Sequence, residues 1–273
     1  VVQNLFDVTG KIVVVTGGMG QLGSEYSLAL AECGAKVAVL DLAVTSEDVA
    51  RRYGNRANDP NLLFIAADVT NRTSLDAALA QIERTWGTPH ALVNNAALDS
   101  PPDAPAEETG PFEHYPEASW DAVMAVNAKG VFLCCQVFGG AMAAAGRGSI
   151  INICSIYGMR SPNQHIYAYR EAERGKPFFK PVAYSASKSS LLNLTRYLAT
   201  YWAGQGVRVN TLTLSGVFNH QDEHFLENYY ALIPIGRMAR QDEFNGAVIF
   251  LASDASSYMT GANLVIDGGW TAW

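Results

Sequence analysis

Two stretches of this chain carry residue types and spacings that do chemistry. The first is TGGMGQLG (Thr16 to Gly23), where Gly18-x-Gly20-x-x-Gly23 follows a β-rich apolar run and opens an amphipathic one. Glycines at such a turn let the backbone approach a pyrophosphate, whose charge is met by the free N–H groups of a helix N-terminus. The second runs from Ser155 to Lys188 and contains four tyrosines. Only Tyr184 is followed four positions later by a lysine; Tyr157, Tyr167 and Tyr169 are followed at that distance by Ser161, Glu171 and Glu173. Four residues are about one helical turn, so Tyr184 and Lys188 share a helix face. An ammonium beside a phenol stabilises the phenolate and brings a pKa of about 10 nearer to working pH, as a general acid/base requires. The same spacing, alone, is also that of ordinary surface helices.

Several strand ends could face a nucleotide. Asp41 closes KVAVLD, where a carboxylate accepts both ribose hydroxyls of NAD and repels the 2′-phosphate of NADP. Asp68 closes LLFIAAD and could meet an adenine amino group or cap the next helix. Asn94, Asn95 and Ala96 close ALVNN, where small residues admit a ribose or simply make a turn.

The elements that must position these residues alternate along the chain. Short apolar runs starting at Lys11, Lys36, Leu62, Ala91, Gly148, Val207 and Asn263 read as strands, and amphipathic stretches between them read as helices. Strands with little polar alternation, each followed by a helix, imply a parallel sheet covered on both faces. The expected fold is α/β: one doubly wound, Rossmann-like domain over 1–273 with about seven strands. Three irregular segments, 98–117, 156–182 and 216–236, follow strand carboxyl ends, where open α/β sheets place their ligand.

Composition narrows the function class. The chain has 273 residues, 49% hydrophobic and 16% charged, with a net charge of −7 and no basic tract, which argues against nucleic acid. Cys33, Cys134, Cys135 and Cys154 lack C-x-x-C spacing and read as buried thiols of a reducing, cytoplasmic protein. No leader pattern opens the sequence and no run approaches a membrane span, so a soluble chain is expected. No metal site is expected.

Taken together, TGGMGQLG, Asp41, ADV at Ala67 to Val69, NNAA at Asn94 to Ala97, VNAKGVF around Asn127, Ser155, YSASK at Tyr184 to Lys188, VRVNTL around Asn210 and TGANLVIDGG resemble the short-chain dehydrogenase/reductase family over nearly the whole chain. The resemblance implies hydride transfer between an alcohol and a carbonyl, a bound NAD(P) and a homotetramer. It implies that Tyr184 is the acid/base, that Lys188 lowers its pKa and binds the ribose, that Ser155 holds the substrate oxygen, and that Asn127 holds a water relaying protons to Lys188. Cofactor contacts fall on Gly17, Gly18, Gly20, Gln21, Leu22 and Gly23, then on Asp41, Leu42, Asp68 and Val69. Asn95, Ala96, Ala97, Gly216 and Val217 complete that side, with Tyr184 and Lys188.

The chain also departs from the family. Gln21 replaces a glycine, giving the T-G-x-x-G-x-x-G form of the extended branch, so a nucleotide-sugar epimerase or dehydratase is a rival; a silent NAD-binding scaffold is another. Extended members carry a C-terminal substrate domain, for which little chain follows Ala203. The family's proline-glycine is Ser215-Gly216 here, and Asn219-His220 stands in place of its usual threonine, in a loop that in the family contacts the nicotinamide carboxamide. Most of 156–182 is extra chain between serine and tyrosine, as in sugar and sugar-acid branches of the family. It holds Arg160, Arg170, Arg174, Lys176 and Lys180 against Glu171 and Glu173. A positive lid of this kind favours an anionic substrate, because arginine grips planar anions bidentately. Ser155, Tyr157, Arg170, Arg174 and Asn219 are therefore the expected substrate contacts on a sugar, sugar acid or polyol.

Overall fold

The computed structural model describes residues 4–99 and 106–273, and of Ala106 and Arg174 the backbone only. Seven parallel strands form one sheet: β1 Ile12–Thr16, β2 Lys36–Asp41, β3 Leu62–Ala66, β4 Ala91–Asn94, β5 Gly148–Ser155, β6 Val207–Leu214 and β7 Asn263–Ile266. Their order is β3-β2-β1-β4-β5-β6-β7. The order reverses between β1 and β4, so the chain leaves these two strands in opposite directions and opens a crevice at their carboxyl ends.

Each face of the sheet is covered. On one side Val14, Leu40, Leu92 and Ile150 pack against helices Arg72–Thr85, Glu117–Ala144 and Val182–Trp202. On the other, Val13, Val15, Val39 and Ile151 meet helices Gln21–Glu32 and Asn245–Ala252. The Glu117–Ala144 helix is long and apolar enough to cross a membrane by length and composition. Its Val131, Leu133, Cys134, Val137 and Met142 are nevertheless spent on the sheet, as in a core helix. Two π-helical segments, Ala125–Gly130 and Cys135–Gly139, widen it, and the first carries Asn127 inward. Such bulges concentrate at functional positions. Three of the four thiols are buried, with burial pushing Cys135 up to about 12, whereas Cys33 is exposed at the C-cap of the Gln21–Glu32 helix, beyond its packed face.

A third cluster sits above the strand ends. Segment 156–182 contains a short helix, Tyr169–Arg174, and 216–236 contains another, Glu223–Tyr230, where irregular chain was expected. Ile166, Tyr167 and Phe178 of the first segment pack with Tyr229, Ile233 and Met238 of the second. An aromatic row runs from Phe178 to Tyr167 (5.0 Å between centroids), on to Phe225 (5.7 Å), Tyr229 (5.2 Å) and Trp270 (4.5 Å). The two segments are thus joined into one wall.

A buried polar ladder fixes helix Val182–Trp202 against the sheet. Asn94 Nδ2 donates to Asn152 Oδ1 at 2.8 Å, Asn152 Nδ2 donates to Thr195 Oγ1 at 2.9 Å, and the Thr211 hydroxyl donates to Thr195 Oγ1 at 2.7 Å. From Asn152 on to Ser155 the strand rises about 10 Å, and from Thr195 back to Lys188 the antiparallel helix covers about the same. The ladder therefore brings Ser155 and Lys188 to one height. Thr195→Val keeps the shape but leaves the Asn152 amide and Thr211 hydroxyl unpaired. A loss of about 1–3 kcal/mol is expected, read as a lower urea midpoint at unchanged m-value; an unchanged midpoint contradicts the role.

Candidate active site

The glycine turn leads from β1 into helix Gln21–Glu32, which starts with no side-chain cap and no acidic residue in its first turn. Its first N–H groups face the crevice with a partial positive charge. Gly17 has φ +64°, and a Cβ there would lie 2.7 Å from the Ala96 Cα; at Gly23 a Cβ would lie 2.1 Å from the Gly17 carbonyl oxygen. The Asn95 carboxamide donates to the carbonyls of Thr16 (3.0 Å) and Gly17 (3.1 Å), while the Thr16 hydroxyl accepts the Ala96 N–H (3.1 Å). The turn is a rigid, close-packed loop.

Asp41 Oδ2 accepts the Met19 N–H (2.9 Å) and Oδ1 the Leu42 N–H (2.8 Å), fixing the carboxylate beside the turn. It edges a hollow with Met19, Ala43, Asp48, Arg51 and Arg52, in which Arg51 is paired with Asp48 and Arg52 donates to the Met19 carbonyl. The Leu42 side chain is exposed, and Ala43 rather than Leu42 faces the hollow. Asp68 Oδ1 accepts from the Thr70 N–H and hydroxyl, and Val69 packs on the core. Asn94 belongs to the buried ladder rather than to the crevice edge. The Gln21 amide donates to the Phe218 carbonyl at 3.0 Å, tying the turn to segment 216–236.

A cleft of about 320 Å³ continues from Leu22, Asn95 and Ala97 to Ser155, Tyr157, Tyr184, Lys188, Gly216 and Val217. Its inner wall also includes Asp99, Lys180 and Gln221. Lys188 is 4% exposed, and its Nζ donates to the Ile153 carbonyl at 2.8 Å. Nζ also lies 5.9 Å from the Tyr184 ring centroid. Burial lowers the Lys188 pKa against the raising effects of Cys154 and Asp99. Burial likewise pushes the Tyr184 phenol up, Asp99 adds to the rise, and the Ser155 hydroxyl pulls the other way. The depression expected from the neighbouring lysine does not appear: desolvation dominates and holds Tyr184 above the ordinary phenol range. Asn127 is fully buried and spans two elements: its Oδ1 accepts the Leu98 N–H (2.7 Å), and its Nδ2 donates to the Leu98 carbonyl (2.8 Å) and Ser187 hydroxyl (3.0 Å). That amide clamps the loop following β4 onto the catalytic helix.

The substrate contacts expected from the sequence separate. Tyr157 lines the cleft, and Ser155 accepts the Tyr157 N–H at 3.2 Å. Arg170 does not line it: the guanidinium is 5% exposed, paired with Asp222 at 2.8 Å, bonded to the Tyr169 hydroxyl at 3.0 Å and stacked 4.9 Å above the Phe178 ring. Asp222 is held low; burial opposes this, and the Phe225 N–H, the Tyr169 hydroxyl and Arg170 outweigh it. The Arg174 side chain lies outside the described residues. Asn219 is exposed and donates its N–H to Gln221 Oε1, and Gln221 is the residue that reaches the cleft. Lys180 and Asp99, paired with each other, were legible only as members of a charge count. The sequence signal that points to Lys180 is a cation four positions before Tyr184, just outside the start of its helix. A larger groove, about 780 Å³, lies outside Tyr157 and Lys180 against Phe112, Tyr115 and Met159, but Ser155, Tyr184 and Lys188 do not line it. The smaller cleft is where the reactive groups converge.

A nicotinamide dinucleotide fits these residues, because the close-packed glycine turn, the uncapped helix start and the fixed Asp41 lie in line with the cleft holding Tyr184 and Lys188. When bound, it supplies the hydride acceptor or donor. Comparison with known proteins agrees. A family model described as enoyl-(acyl carrier protein) reductase matches residues 21–271. D-threitol dehydrogenase of Mycolicibacterium smegmatis is 35% identical over 97% of this chain and 95% of its own length. A short-chain dehydrogenase from Leptospira borgpetersenii, solved with bound NAD+, superimposes with a TM-score of 0.85 at 31% identity, over 99% of this chain and 97% of its own. A gluconate 5-dehydrogenase from Burkholderia cenocepacia, solved with NADP and tartrate, gives 0.83 at 28% identity, over 99% and 98%. The chain belongs to the short-chain dehydrogenase/reductase family and is an alcohol–ketone oxidoreductase.

Proposed function

We propose that this enzyme oxidises a secondary hydroxyl of an uncharged polyol or sugar to the ketone, with NAD as the preferred cofactor. The observation that carries the reading is the convergence of Tyr184, Ser155 and Lys188 on one cleft, to which segment 156–182 contributes a single cation, Lys180, already paired with Asp99. Of the cations of segment 156–182, Arg170 is paired with Asp222 away from the cleft, and Lys180, which lines it, has its charge balanced by Asp99. The likeness to D-threitol dehydrogenase, named for a neutral polyol, supports the same choice.

In this reading Ser155 donates to the substrate oxygen and Tyr184 exchanges the hydroxyl proton. Lys188, held by the Ile153 carbonyl, binds the cofactor ribose and passes protons outward by a water at Asn127. Asp41 favours NAD because a 2′-phosphate would face a fixed carboxylate whose neighbouring arginines are engaged elsewhere. Exposed Phe132, Tyr197 and Tyr201, on the helices that flank one face, support self-association, which in this reading is a homotetramer.

Tyr184→Phe is expected to lower kcat by about 10²–10⁴ while NADH still binds in a fluorescence titration; near-normal turnover sinks the assignment. Asp41→Ala is expected to reduce the NAD-over-NADP ratio of kcat/KM by about 10- to 100-fold, and retained selectivity contradicts it. Because burial raises the Tyr184 pKa and oxidation needs the phenolate, kcat/KM for the alcohol rises with pH, whereas ketone reduction, which uses the phenol, does not. Oxidation that is fastest near pH 6 overturns that assignment.

A further inference from the structure

We propose that Asp99 and Lys180 form a donor–acceptor pair that reads two neighbouring hydroxyls of the substrate, next to the carbon that is oxidised. The inference rests on the polyol reading of the same cleft and names how that cleft selects.

Asp99 follows β4, and Lys180 ends the 156–182 region just before helix Val182–Trp202, so the pair bridges two segments far apart in sequence. Both lie on backbone that is held in place. Leu98, the residue before Asp99, exchanges two hydrogen bonds with the buried Asn127 amide. The Lys180 N–H donates to Gln164 Oε1 at 2.8 Å, and Gln164 Nε2 donates back to the Lys180 carbonyl at 3.4 Å. The Lys180 side chain is only 10% exposed, and its Nζ lies 5.0 Å from the Tyr184 ring centroid. A cation packed on the ring of the acid/base is within reach of the carbon beside the reacting one.

The chemistry of the pair matches a vicinal diol. An ammonium has three donors and a carboxylate about four acceptor sites, so each has capacity left after meeting the other. Asp99 keeps about half its side chain exposed, at 49%. One substrate hydroxyl donates to Asp99 while its neighbour accepts from Lys180. A simple secondary alcohol offers neither contact. A carboxylate placed there would gain Lys180 but meet Asp99, and the like charges cancel most of the advantage.

The test compares four-carbon substrates that share a secondary hydroxyl but differ in the groups beside it: a tetritol, 2-butanol and the corresponding aldonate, each with NAD. In the wild type the tetritol is expected to exceed 2-butanol in kcat/KM by at least about 100-fold, since a site built to bond a hydroxyl rejects an analogue lacking it. Asp99→Asn, close to isosteric, is expected to cut the tetritol-to-butanol ratio at least about tenfold, mainly through KM. The same change frees Lys180, so the aldonate-to-tetritol ratio rises at least about tenfold. Lys180→Met is expected to cut the first ratio without raising the second, and Lys180→Arg to restore part of it. Thermal midpoints of the variants identify any that fail to fold, and Asp99→Asn alone then decides. Ratios that stay within threefold in Asp99→Asn overturn the pair while leaving the polyol reading intact. A wild type that turns over no polyol overturns both.

Discussion

The hydrogen bond from Asn152 to Thr195 is the constraint on which the site depends. Apolar contact between a strand and the helix that crosses back over it is non-directional, so it specifies register less sharply than a buried polar pair does. A buried amide bonded to one hydroxyl has a single acceptable register, since every other setting leaves polar groups unpaired. With Asn94 and Thr211 joined to the same ladder, β4, β5, β6 and helix Val182–Trp202 are aligned together. Ser155, Lys188 and Tyr184 inherit their relative heights from that alignment: Ser155 lies three strand residues from Asn152, and Lys188 and Tyr184 lie about two and three helical turns from Thr195.

What the ladder fixes from below, the wall of segments 156–182 and 216–236 closes from above. The aromatic row from Phe178 to Trp270 and the Arg170–Asp222 pair make the two segments one body, and the Tyr229 hydroxyl accepts the Gly216 N–H at 2.8 Å. The wall leaves Lys188 buried and Tyr184 half-buried, and burial is the first cause of both pKa shifts, upward for the phenol and downward for the ammonium. Both shifts disfavour charge. Charge that catalysis creates there is met by the Ser155 hydroxyl, which opposes the rise of the Tyr184 pKa, and by the Ile153 carbonyl, which accepts from Lys188.

The fold was legible in the sequence because strand–helix alternation and apolar, non-alternating strands leave few alternatives to a doubly wound sheet. The placement of Tyr184, Lys188, Ser155, the glycine turn and Asp41 was legible for a related reason: each sits at a turn, on a helix face or at a strand end. The substrate side was not. Arg170 and Lys180 count alike as positive charges in the sequence, yet one is locked to Asp222 and the other stands over Tyr184 beside Asp99. Which partner each cation meets is set by contacts between segments about 50 to 80 positions apart, and no periodicity encodes those. Asn219 and Gln221 differ by two residues, and a loop turn decides which one faces the cleft. Gln21, a departure from the family's glycine, acquires its meaning only through the Phe218 carbonyl that it reaches.

A crystal structure of the dead-end complex with NADH and a tetritol tests the central claim most directly. The expected result is one secondary hydroxyl within hydrogen-bond distance of both the Tyr184 Oη and the Ser155 Oγ, with its neighbours on Asp99 and Lys180. A polyol seated instead in the outer groove against Phe112 and Met159, or bound in the cleft with no oxygen near Tyr184, contradicts the account.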